Sequence, residues 1–455
     1  MATTYLKRLP ASDGSNTTAT LSAWVKRGDG LNAGAQSCAI GGQEGTDGNN
    51  RIFFGFWGDS TLALQIVNGG TAYEQSSSAV FRDPTAWYHI VARLDTSNGT
   101  AQDRVQLFVN GEKITDYTTN DTFPSSVDIK LFENTTSCET LIGARKSSST
   151  YNNISGGAMA HVHIIDGTAY DASAFGETDS TSGIWIAKTS PSVTYGTNGG
   201  FYKFASGASG TDSAGSNNMT VVGSLTNLKD SPDNNYASWN PLNNSGNASY
   251  GIAYSDNNST ITPTAPDANG SRPWSSSTLA MPAKGKWYAE FKLVEGDGVT
   301  QIGIGSAGIV SNRLYYNNAY GATTECLIWQ PYAGSIIYNN GDLTTGLTAA
   351  STGDIIGIAV DCDNEKMYCY LNGSLLNSGG ESYTSKVTQS QILFVVGDNT
   401  TSGYDEVQAN FGNGYFSTTA VSSAGTSSTG DTSVWEYDCP ADYYGLNTKN
   451  IGNYG

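Results

Sequence analysis

Hydrophobic and polar residues alternate with a period of two along most of this chain. In the first half, apolar residues occupy every second position of several short runs, and residues with this spacing lie on one face of a β-strand. The clearest inward rows are Ile52, Phe54 and Phe56; Leu62, Leu64 and Ile66; Tyr88, Ile90, Ala92 and Leu94; and Val105, Leu107 and Val109. The last row ends in Asn110-Gly111, which is the strongest short signal for a hairpin.

The second half has the same character, without a fixed repeat period. Its predicted strands include the inward rows Trp287, Ala289 and Phe291; Ile356, Ile358 and Val360; and Met367, Cys369 and Leu371. A second hairpin signal follows at Asn372-Gly373, and a last short strand is predicted from Val434 to Tyr437. Helical periodicity is nearly absent. Only the segment from Asp171 to Phe175 fits a helical turn, with Asp171 as its N-cap.

The region 205–250 separates the two blocks of strands. It is rich in Ser, Gly and Asn, and it contains the turn-forming segment Asp230-Ser-Pro-Asp-Asn-Asn. We therefore expect an all-β protein of two tandem β-sandwich (jelly-roll) domains, with almost no helix. The predicted domains are residues 1–225 and 230–455, because each block shows many short strands with frequent turns.

Composition and charge narrow the range of partners. The chain has 455 residues and a net charge of −18, and only 14% of its residues are charged. An acidic surface repels the phosphate backbone, so nucleic acid is not an expected partner. No apolar run is long enough to span a bilayer, so no membrane insertion is expected. The first residues, MATTYLKRLPASDG, lack the apolar core of a signal peptide.

Cysteine and histidine give no metal-site motif. None of the six cysteines forms a C-x-x-C pair, so we interpret all six as free thiols or small apolar residues. His161 and His163 flank Val162 on a predicted strand and share one face, but no third ligand is near in sequence. We interpret both, and His89, as ordinary residues of sandwich strands.

Three segments of the first half resemble the laminin-G-like, concanavalin-type jelly roll. They are Leu21-Ser-Ala-Trp-Val-Lys-Arg; Trp87-Tyr-His-Ile-Val-Ala-Arg-Leu-Asp followed by Val105-Gln-Leu-Phe-Val-Asn-Gly; and Leu141-Ile-Gly followed by the closing strand from Gly157. The second half resembles a SPRY domain. Gly353-Asp-Ile-Ile-Gly-Ile-Ala-Val-Asp and Met367-Tyr-Cys-Tyr-Leu-Asn-Gly carry that resemblance, with Lys286-Trp-Tyr-Ala-Glu-Phe and Asn410-Phe-Gly in support.

The combination of the two domains is similar to virion proteins of tailed bacteriophages, many of them marine. Tyr5-Leu-Lys-Arg-Leu-Pro, the segment from Asp230 to Tyr236 and Tyr444-Gly-Leu-Asn-Thr-Lys-Asn-Ile carry this resemblance. It implies localisation in the virion, other virion proteins as partners and a homo-oligomeric assembly. We expect a tail fibre, tip or knob that binds a host-surface glycan. The alternatives are a capsid decoration or tail-cementing protein and a polysaccharide hydrolase.

The sequence does not favour an enzyme. Glycoside hydrolases need two carboxylates at a fixed separation, which the E-x-D-x-x-E strand supplies in concanavalin-like folds. No such run occurs here, and Glu44 and Asp47 lie in a Gly-rich loop where a surface pair is the simpler interpretation. No Ser-His-Asp arrangement is indicated. We therefore predict a protein without catalytic residues.

Calcium is the candidate cofactor of the first domain. The resemblance to laminin-G-like and lectin sandwiches, which often bind Ca²⁺, implies a calcium site on rim loops that is formed by carboxylate and carbonyl oxygens. The loop from residue 95 to 103 supplies Asp95, Asn98 and Asp103 as candidate ligands, and the loop from Glu44 to Asn50 supplies further acids. The alternative is that these acids are ordinary turn residues.

Aromatic side chains in loops are the candidate ligand-binding residues. A sugar ring stacks on an aromatic face while amides and carboxylates bond to its hydroxyls. The candidates are Trp57, Tyr73, Tyr315, Tyr316 and Tyr320. Bacterial outer layers are mostly anionic, so they do not attract a chain of charge −18 electrostatically. Host recognition must then rest on stacking, or on Ca²⁺ that bridges acidic loops to an anionic sugar. We favour stacking, which predicts that Tyr73→Ala or Tyr316→Ala weakens adsorption without unfolding the protein.

Overall fold

The structure is a computed structural model of the chain. It describes residues 4–28, 36–135, 137–152, 154–180, 182–205, 207, 209–244, 252–263, 274–295, 300–307, 325–339, 341–388, 391–398 and 405–455. Its contacts divide the chain into two compact units. The first comprises Met1–Arg27 and Leu31–Asn227, and the second contains Leu228–Gly455. The predicted domain limits, 225 and 230, lie close to this division.

Unit 1 contains two large antiparallel sheets and two small hairpins. Its strands are β1 (Tyr5–Arg8), β2 (Thr18–Lys26), β3 (Ser37–Glu44), β4 (Asn50–Phe56), β5 (Thr61–Asn68), β6 (Thr71–Val80), β7 (Trp87–Asp95), β8 (Val105–Val109), β9 (Glu112–Lys113), β10 (Tyr117–Asn120), β11 (Glu139–Ile142), β12 (Arg145–Ser147), β13 (Thr150–Asn152), β14 (Ala158–Asp166), β15 (Gly176–Thr178), β16 (Trp185–Ala187), β17 (Gly200–Tyr202) and β18 (Thr220–Val222). The eight-stranded sheet has the order β10-β6-β5-β4-β3-β11-β1-β18, and the six-stranded sheet β17-β14-β2-β7-β8-β9. β12–β13 and β15–β16 are the hairpins.

The core of unit 1 lies between the two sheets. Leu21 and Ile90 of the six-stranded sheet share one hydrophobic cluster with Phe54 and Leu64 of the eight-stranded sheet. The rows predicted from alternation at 52–56 and 62–66 are fully buried. Since alternate side chains point to opposite faces, the residues between them lie on the outer face of the sheet, turned away from this core.

Unit 2 is also built on two large, mainly antiparallel sheets. Its strands are β19 (Trp239–Asn244), β20 (Ile252–Ser255), β21 (Thr260–Pro263), β22 (Trp274–Ser277), β23 (Lys286–Glu295), β24 (Thr300–Ser306), β25 (Cys326–Gln330), β26 (Ser335–Tyr338), β27 (Gly341–Thr344), β28 (Ile355–Asp361), β29 (Lys366–Leu371), β30 (Ser374–Leu375), β31 (Glu381–Ser382), β32 (Ile392–Asp398), β33 (Glu406–Asn410), β34 (Tyr415–Phe416), β35 (Thr419–Ala420) and β36 (Tyr444–Gly445). One sheet has the order β19-β22-β32-β24-β25-β26-β27. The other follows β20-β21-β33-β23-β28-β29-β30, with β31 beside β29 and β36 beside β23.

The core of unit 2 combines residues of both sheets. Trp287 and Phe291 of β23 pack in one cluster with Ile302 and Phe394 of the opposite sheet. Tyr288 and Glu290, on the other face of β23, are buried as well. They are covered by the C-terminal segment, in which Trp435 contacts Tyr288 at 5.0 Å between ring centroids. The outer face of this sheet is therefore a second packed layer.

The all-β prediction is confirmed, and the small helical content is placed as follows. The described residues hold the 3₁₀ turns η1 (Ala101–Asp103) and η2 (Ala172–Ala174) and one short α-helix, α1 (Thr448–Tyr454). Asp171 precedes η2 as predicted, but its side chain makes no capping hydrogen bond. The predicted strand from Val434 to Tyr437 was wrong. Val434 and Trp435 make only isolated bridges, because this segment packs across the sheet instead of extending it.

Candidate functional site

The turn between β4 and β5 places Trp57 on the outer face of the eight-stranded sheet. Backbone bonds from Trp57 N to Thr61 O (3.0 Å) and from Ser60 N to Trp57 O (2.9 Å) close the turn. The indole stacks on Phe53, with ring centroids 4.0 Å apart and planes 4° apart. Trp57 thereby buries Phe53 while its own side chain stays partly exposed.

Polar side chains surround this stack. The Glu74 carboxylate accepts hydrogen bonds from Trp57 Nε1 (2.9 Å) and Gln65 Nε2 (2.8 Å), and also from the hydroxyl of Ser76. Gln65 lies opposite Glu74 in the register of β5 and β6, so both are on the outer face. We call Phe53, Trp57, Gln65, Glu74 and Ser76 the Trp57 platform. A flat, partly exposed indole bordered by amide, carboxylate and hydroxyl groups suits a sugar ring and its hydroxyls.

The other predicted aromatic residues do not join this platform. Tyr73 lies opposite Ile66 in the register and therefore points to the inner face. It packs against the core of unit 1, with its ring 6.2 Å from that of Phe123. Tyr315, Tyr316 and Tyr320 lie outside the described residues. The structure thus leaves Trp57 as the predicted aromatic residue that is placed on an outer surface.

The candidate calcium ligands take part in the hydrogen bonds of their own loop. Asp95 accepts from the Ser97 hydroxyl (2.7 Å) and from Asn98 Nδ2 (3.4 Å). The Asn98 side-chain oxygen accepts from the Thr100 amide (2.9 Å). The carboxylate of Asp103 accepts from Gln106 (2.7 Å). These contacts fit the alternative that the acids stabilise turns, and a calcium ion at Asp95, Asn98 and Asp103 stays a prediction.

A different acidic cluster lies at one end of β3. Carboxylate oxygens of Glu44, Asp128 and Glu133 all lie within 4.8 Å of one another. The ammonium group of Lys130 lies among them, 2.7 Å from Glu44, 2.8 Å from Asp128 and 3.9 Å from Glu133. We call these four residues the Lys130 cluster. Sequence reasoning found only Glu44, because the other members are more than 80 residues away along the chain.

The pKa values of two acids in the Lys130 cluster, Glu133 and Asp128, are shifted in opposite directions. The hydrogen bond to Asp128, together with burial and Glu44, raises the pKa of Glu133 to about 8. Although burial acts in the opposite direction, hydrogen bonds from Glu133 and Lys130 lower the pKa of Asp128. A protonated acid beside an ionised one is the pair that glycosidases use. Here, however, Lys130 occupies the space between the carboxylates, as expected of an internal ion pair.

The three histidines lie on the outer side of the six-stranded sheet. His89 bonds to the Ser22 hydroxyl at 2.9 Å and accepts from Trp185 Nε1 at 3.0 Å, so both of its ring nitrogens are used. His163 contacts the Tyr195 hydroxyl at 2.9 Å and stacks on Phe201. A β-bulge lies between Ala160 and His163, so strict alternation does not hold there. The geometry agrees with histidines that serve sandwich strands.

One buried carboxylate stands out in unit 2. Glu290 is fully buried, and its two oxygens accept hydrogen bonds from the backbone amides of Glu436 (2.8 Å) and Tyr437 (3.0 Å) and from the side chain of Asn410 (3.2 Å). Burial raises the pKa of Glu290 to about 7, although these donors oppose the shift. Because the carboxylate has no access to solvent, it fixes the C-terminal segment to β23 and does not offer a binding surface.

Among the solved structures that are similar to parts of this chain, three have 13–16% identity to it. A human HERC1 SPRY domain covers 33% of this chain and 87% of its own length, at a TM-score of 0.27 and 16% identity. A heptameric SAP-like pentraxin from Limulus polyphemus matches 41% of this chain and 86% of its own, with a TM-score of 0.29 and 13% identity. The CBM40 of a Ruminococcus gnavus IT-sialidase matches 36% of this chain and 93% of its own, with a TM-score of 0.27 and 16% identity. TM-scores this low establish neither a shared fold nor a shared function.

Comparison with curated proteins gives no match. In the part of the chain that the structure describes, no helix has the length and apolar character needed to cross a bilayer. The resemblance of the second half to SPRY domains stays a prediction. The first half has a family match, because residues 2–173 fit the family model described as the concanavalin A-like lectin/glucanases superfamily.

Proposed function

We propose that this chain is a non-enzymatic virion surface protein of a bacteriophage, a tail fibre, tip or knob, that binds a host-surface glycan. The observation that carries the binding role is the Trp57 platform, where a stacked, partly exposed indole lies beside Gln65 and Glu74. The match of residues 2–173 to a superfamily of lectins and glucanases supports carbohydrate as the ligand class.

The non-enzymatic part of the proposal rests on the carboxylates. At the Trp57 platform, Glu74 already accepts three hydrogen bonds from its neighbours, which fixes it as a structural acceptor. In the Lys130 cluster, Lys130 pairs with Glu44 and Asp128 and fills the position that a substrate oxygen or a water needs. Release of reducing sugar from a polysaccharide by the purified chain would replace this proposal with the hydrolase alternative.

The virion part rests on the phage-like segments at residues 5–10, 230–236 and 444–451. We expect this chain among the proteins of purified phage particles, and particle imaging should place it at the tail. If imaging places it on the capsid and the isolated protein does not compete with virions for cells, the decoration role should replace host binding.

Substitution of Trp57 tests the binding role. We expect Trp57→Ala to weaken glycan binding about tenfold, because stacking of one aromatic ring is worth roughly 1 kcal/mol and its polar neighbours lose their alignment. Trp57→Phe should retain most of the affinity, since it keeps a ring on Phe53. Binding is measured on a glycan array and then by calorimetry, with and without chelator.

Two outcomes contradict the binding role. Equal affinities for the wild type, Trp57→Ala and Trp57→Phe would show that the platform is not the site. Failure of the isolated, folded protein to bind any glycan would exclude the function itself.

Loss of binding in chelator, with recovery in calcium, would favour bridging by metal over stacking. Tyr73→Ala is the comparison variant, because this ring packs on the core and its loss should lower stability first.

A further inference from the structure

Two arginines lie close together on the outer face of the eight-stranded sheet. Arg51 is on β4, two residues before Phe53 and on the same face. Arg145 begins β12, and the β12–β13 hairpin lies over β3 and β4, with the Cα of Arg145 next to Gly41. Gly41 and Phe53 are opposite each other in the register of β3 and β4, so the hairpin brings Arg145 to the Phe53 position.

Neither guanidinium has an acidic partner among the described residues. Arg51 donates to the Gly48 carbonyl, and its Nε is buried without a partner. Arg145 donates from Nε to Asn152 Oδ1 at 3.2 Å. The ion pairs of the described residues involve other cations. Although the chain has 41 acidic and 23 basic side chains, none of the acids that the structure describes pairs with these two adjacent arginines.

The two positive charges destabilise each other. Burial and then the charge of Arg51 lower the pKa of Arg145, and burial lowers the pKa of Arg51. Both side chains are partly buried, so solvent screens this repulsion less than on an open surface. A bound oxyanion would relieve it. Guanidinium groups hold carboxylate and sulfate oxygens through parallel N–H bonds in a fixed planar geometry.

The arginine pair is continuous with the Trp57 platform. The Phe53 ring lies between Trp57, at 4.0 Å between centroids, and Arg145, whose guanidinium carbon is 6.0 Å from the Phe53 centroid. An aromatic surface and a pair of unneutralised cations therefore form one strip on the outer face. A ligand that matches this strip has a flat apolar ring face and an oxyanion on the same or the adjacent residue.

We propose that Arg51 and Arg145 bind the carboxylate or sulfate group of an acidic saccharide whose ring stacks on Trp57. This inference rests on the proposed glycan-binding function and names its ligand class. It also accounts for recognition of an anionic surface by a chain of charge −18. The local pair of cations opposes the repulsion that the rest of the surface exerts.

The test compares three saccharides of matched length with the full chain by titration calorimetry. They are an oligogalacturonate, a sulfated galactan oligosaccharide and a neutral galactan oligosaccharide. We expect one or both acidic ligands to bind at least tenfold more tightly than the neutral one at low salt, and we expect added salt to reduce this preference. A preference for one acidic ligand alone identifies a carboxylate site or a sulfate site, and a preference for both identifies a site that accepts either oxyanion.

Variants assign the preference to the arginine pair. Arg145→Gln should abolish it, weakening the acidic ligand about tenfold so that its affinity falls to that of the neutral ligand. Arg145→Lys should retain part of it, because the charge remains but the planar fork is lost. Arg82→Gln removes one positive charge from an exposed loop position and serves as the matched control. Arg51→Gln is the second test, provided that its melting temperature matches the wild type.

Two results overturn the inference while leaving the proposed function in place. One is equal affinity for acidic and neutral ligands, with neutral binding still lost in Trp57→Ala. The other is an equal loss of acidic binding in Arg145→Gln and Arg82→Gln, which would indicate a general charge effect. Absence of binding to all three saccharides, together with a negative glycan array, overturns the proposed function and this inference with it.

Discussion

Glu290 illustrates how one side chain determines the position of a long segment. Its carboxylate lies on the face of β23 that alternation predicts to be exposed, yet it is completely buried. The backbone amides of residues 436 and 437, which lie nearly 150 positions later in the chain, donate to its two oxygens. The carboxyl group is suited to this role because both of its oxygens accept hydrogen bonds when it is ionised, and acceptor capacity remains when it is protonated.

We expect Glu290→Gln to destabilise unit 2 by about 1–3 kcal/mol, because the new NH₂ group must face a buried N–H donor. The difference in the free energy of unfolding between the wild type and this variant should depend on pH. The pKa of Glu290 is raised to about 7 in the folded state, so its contribution to stability is greatest below pH 4.5 and is lost as the pH rises through 7. Urea unfolding at pH 5 and pH 8 should show the larger gap at pH 5. A gap that is equal at both pH values would contradict this assignment.

Single residues also show what the sequence could and could not predict about the site. Trp57 was found because an aromatic residue in a Gly-containing turn between two alternating rows has few places to be buried. Tyr73 has similar neighbours, but its position in the β6 register turns it toward the core. Glu74 was missed because its contacts with Trp57 and Gln65 depend on the register of β5 and β6, which alternation alone does not give. Arg51 and Arg145 were missed because the β12–β13 hairpin that brings them together follows β4 only after a long interval.

The β12–β13 hairpin is the element on which the proposed acidic-sugar site depends. Its approach to the sheet requires a glycine at position 41, where a Cβ atom would lie 2.5 Å from the Ala144 carbonyl oxygen and 3.3 Å from the Cα of Arg145. A methyl group there has no space, because both neighbouring atoms belong to the backbone. The hairpin and the sheet are therefore fitted to each other at this residue.

We expect Gly41→Ala to displace the hairpin and to cost about 1–3 kcal/mol, as overpacking of a tight contact does. Hydrogen exchange of residues 145–152 should become faster, and any preference for acidic saccharides should decline with it. Gly99→Ala is the matched control, because nothing lies within 4 Å of an added Cβ at that position. Unchanged exchange in Gly41→Ala would show that the hairpin is not held by this contact.

At the level of elements, period-two alternation predicted the strands well. The inward rows of β4, β5, β23 and β28 are all buried. The prediction of a short strand failed for residues 434–437, because this segment packs across a sheet instead of joining it. Sequence reasoning also missed α1, a helix of seven residues whose N-cap, Asn447, accepts a bond from the Asn450 amide. So short a helix leaves too little periodicity to detect.

The whole molecule should respond to acid through its histidines. Burial, and then the charge of His161, lower the pKa of His89 to about 3, and burial lowers the pKa of His163 well below its usual value. The unfolded chain takes up these protons near pH 6.5. Between that pH and about 3 the unfolded state binds more protons, so histidine-linked stability falls as the pH falls.

We expect His89→Gln to reduce the slope of the free energy of unfolding against pH by up to about 1.4 kcal/mol per pH unit between pH 6.5 and 4.5. This slope is the contribution of one proton. The variant should also be less stable than the wild type at pH 7.5, because the fit to Trp185 is altered. Urea unfolding at four pH values measures both effects. Parallel pH profiles for wild type and variant would place the acid response elsewhere.

Burial of all six cysteines makes the native protein inert to thiol reagents. Burial also raises the pKa of Cys38, Cys138 and Cys362 to about 12, so few thiolates form even when a reagent gains access. We expect almost no reaction with iodoacetamide in the folded state and six modified sites in denaturant, counted by mass spectrometry. Rapid modification of any one cysteine in native buffer would contradict this expectation.

Because the cysteines are buried, the rate at which each one is alkylated reports how often its unit opens. Cys38 and Cys138 belong to unit 1, and Cys326, Cys362, Cys369 and Cys439 belong to unit 2. Peptide-resolved labelling over hours therefore times how often each sandwich opens, without an added probe or a substitution. If the units open independently, the two sets of cysteines will label at two separate rates, and a saccharide that binds to unit 1 will slow only the first.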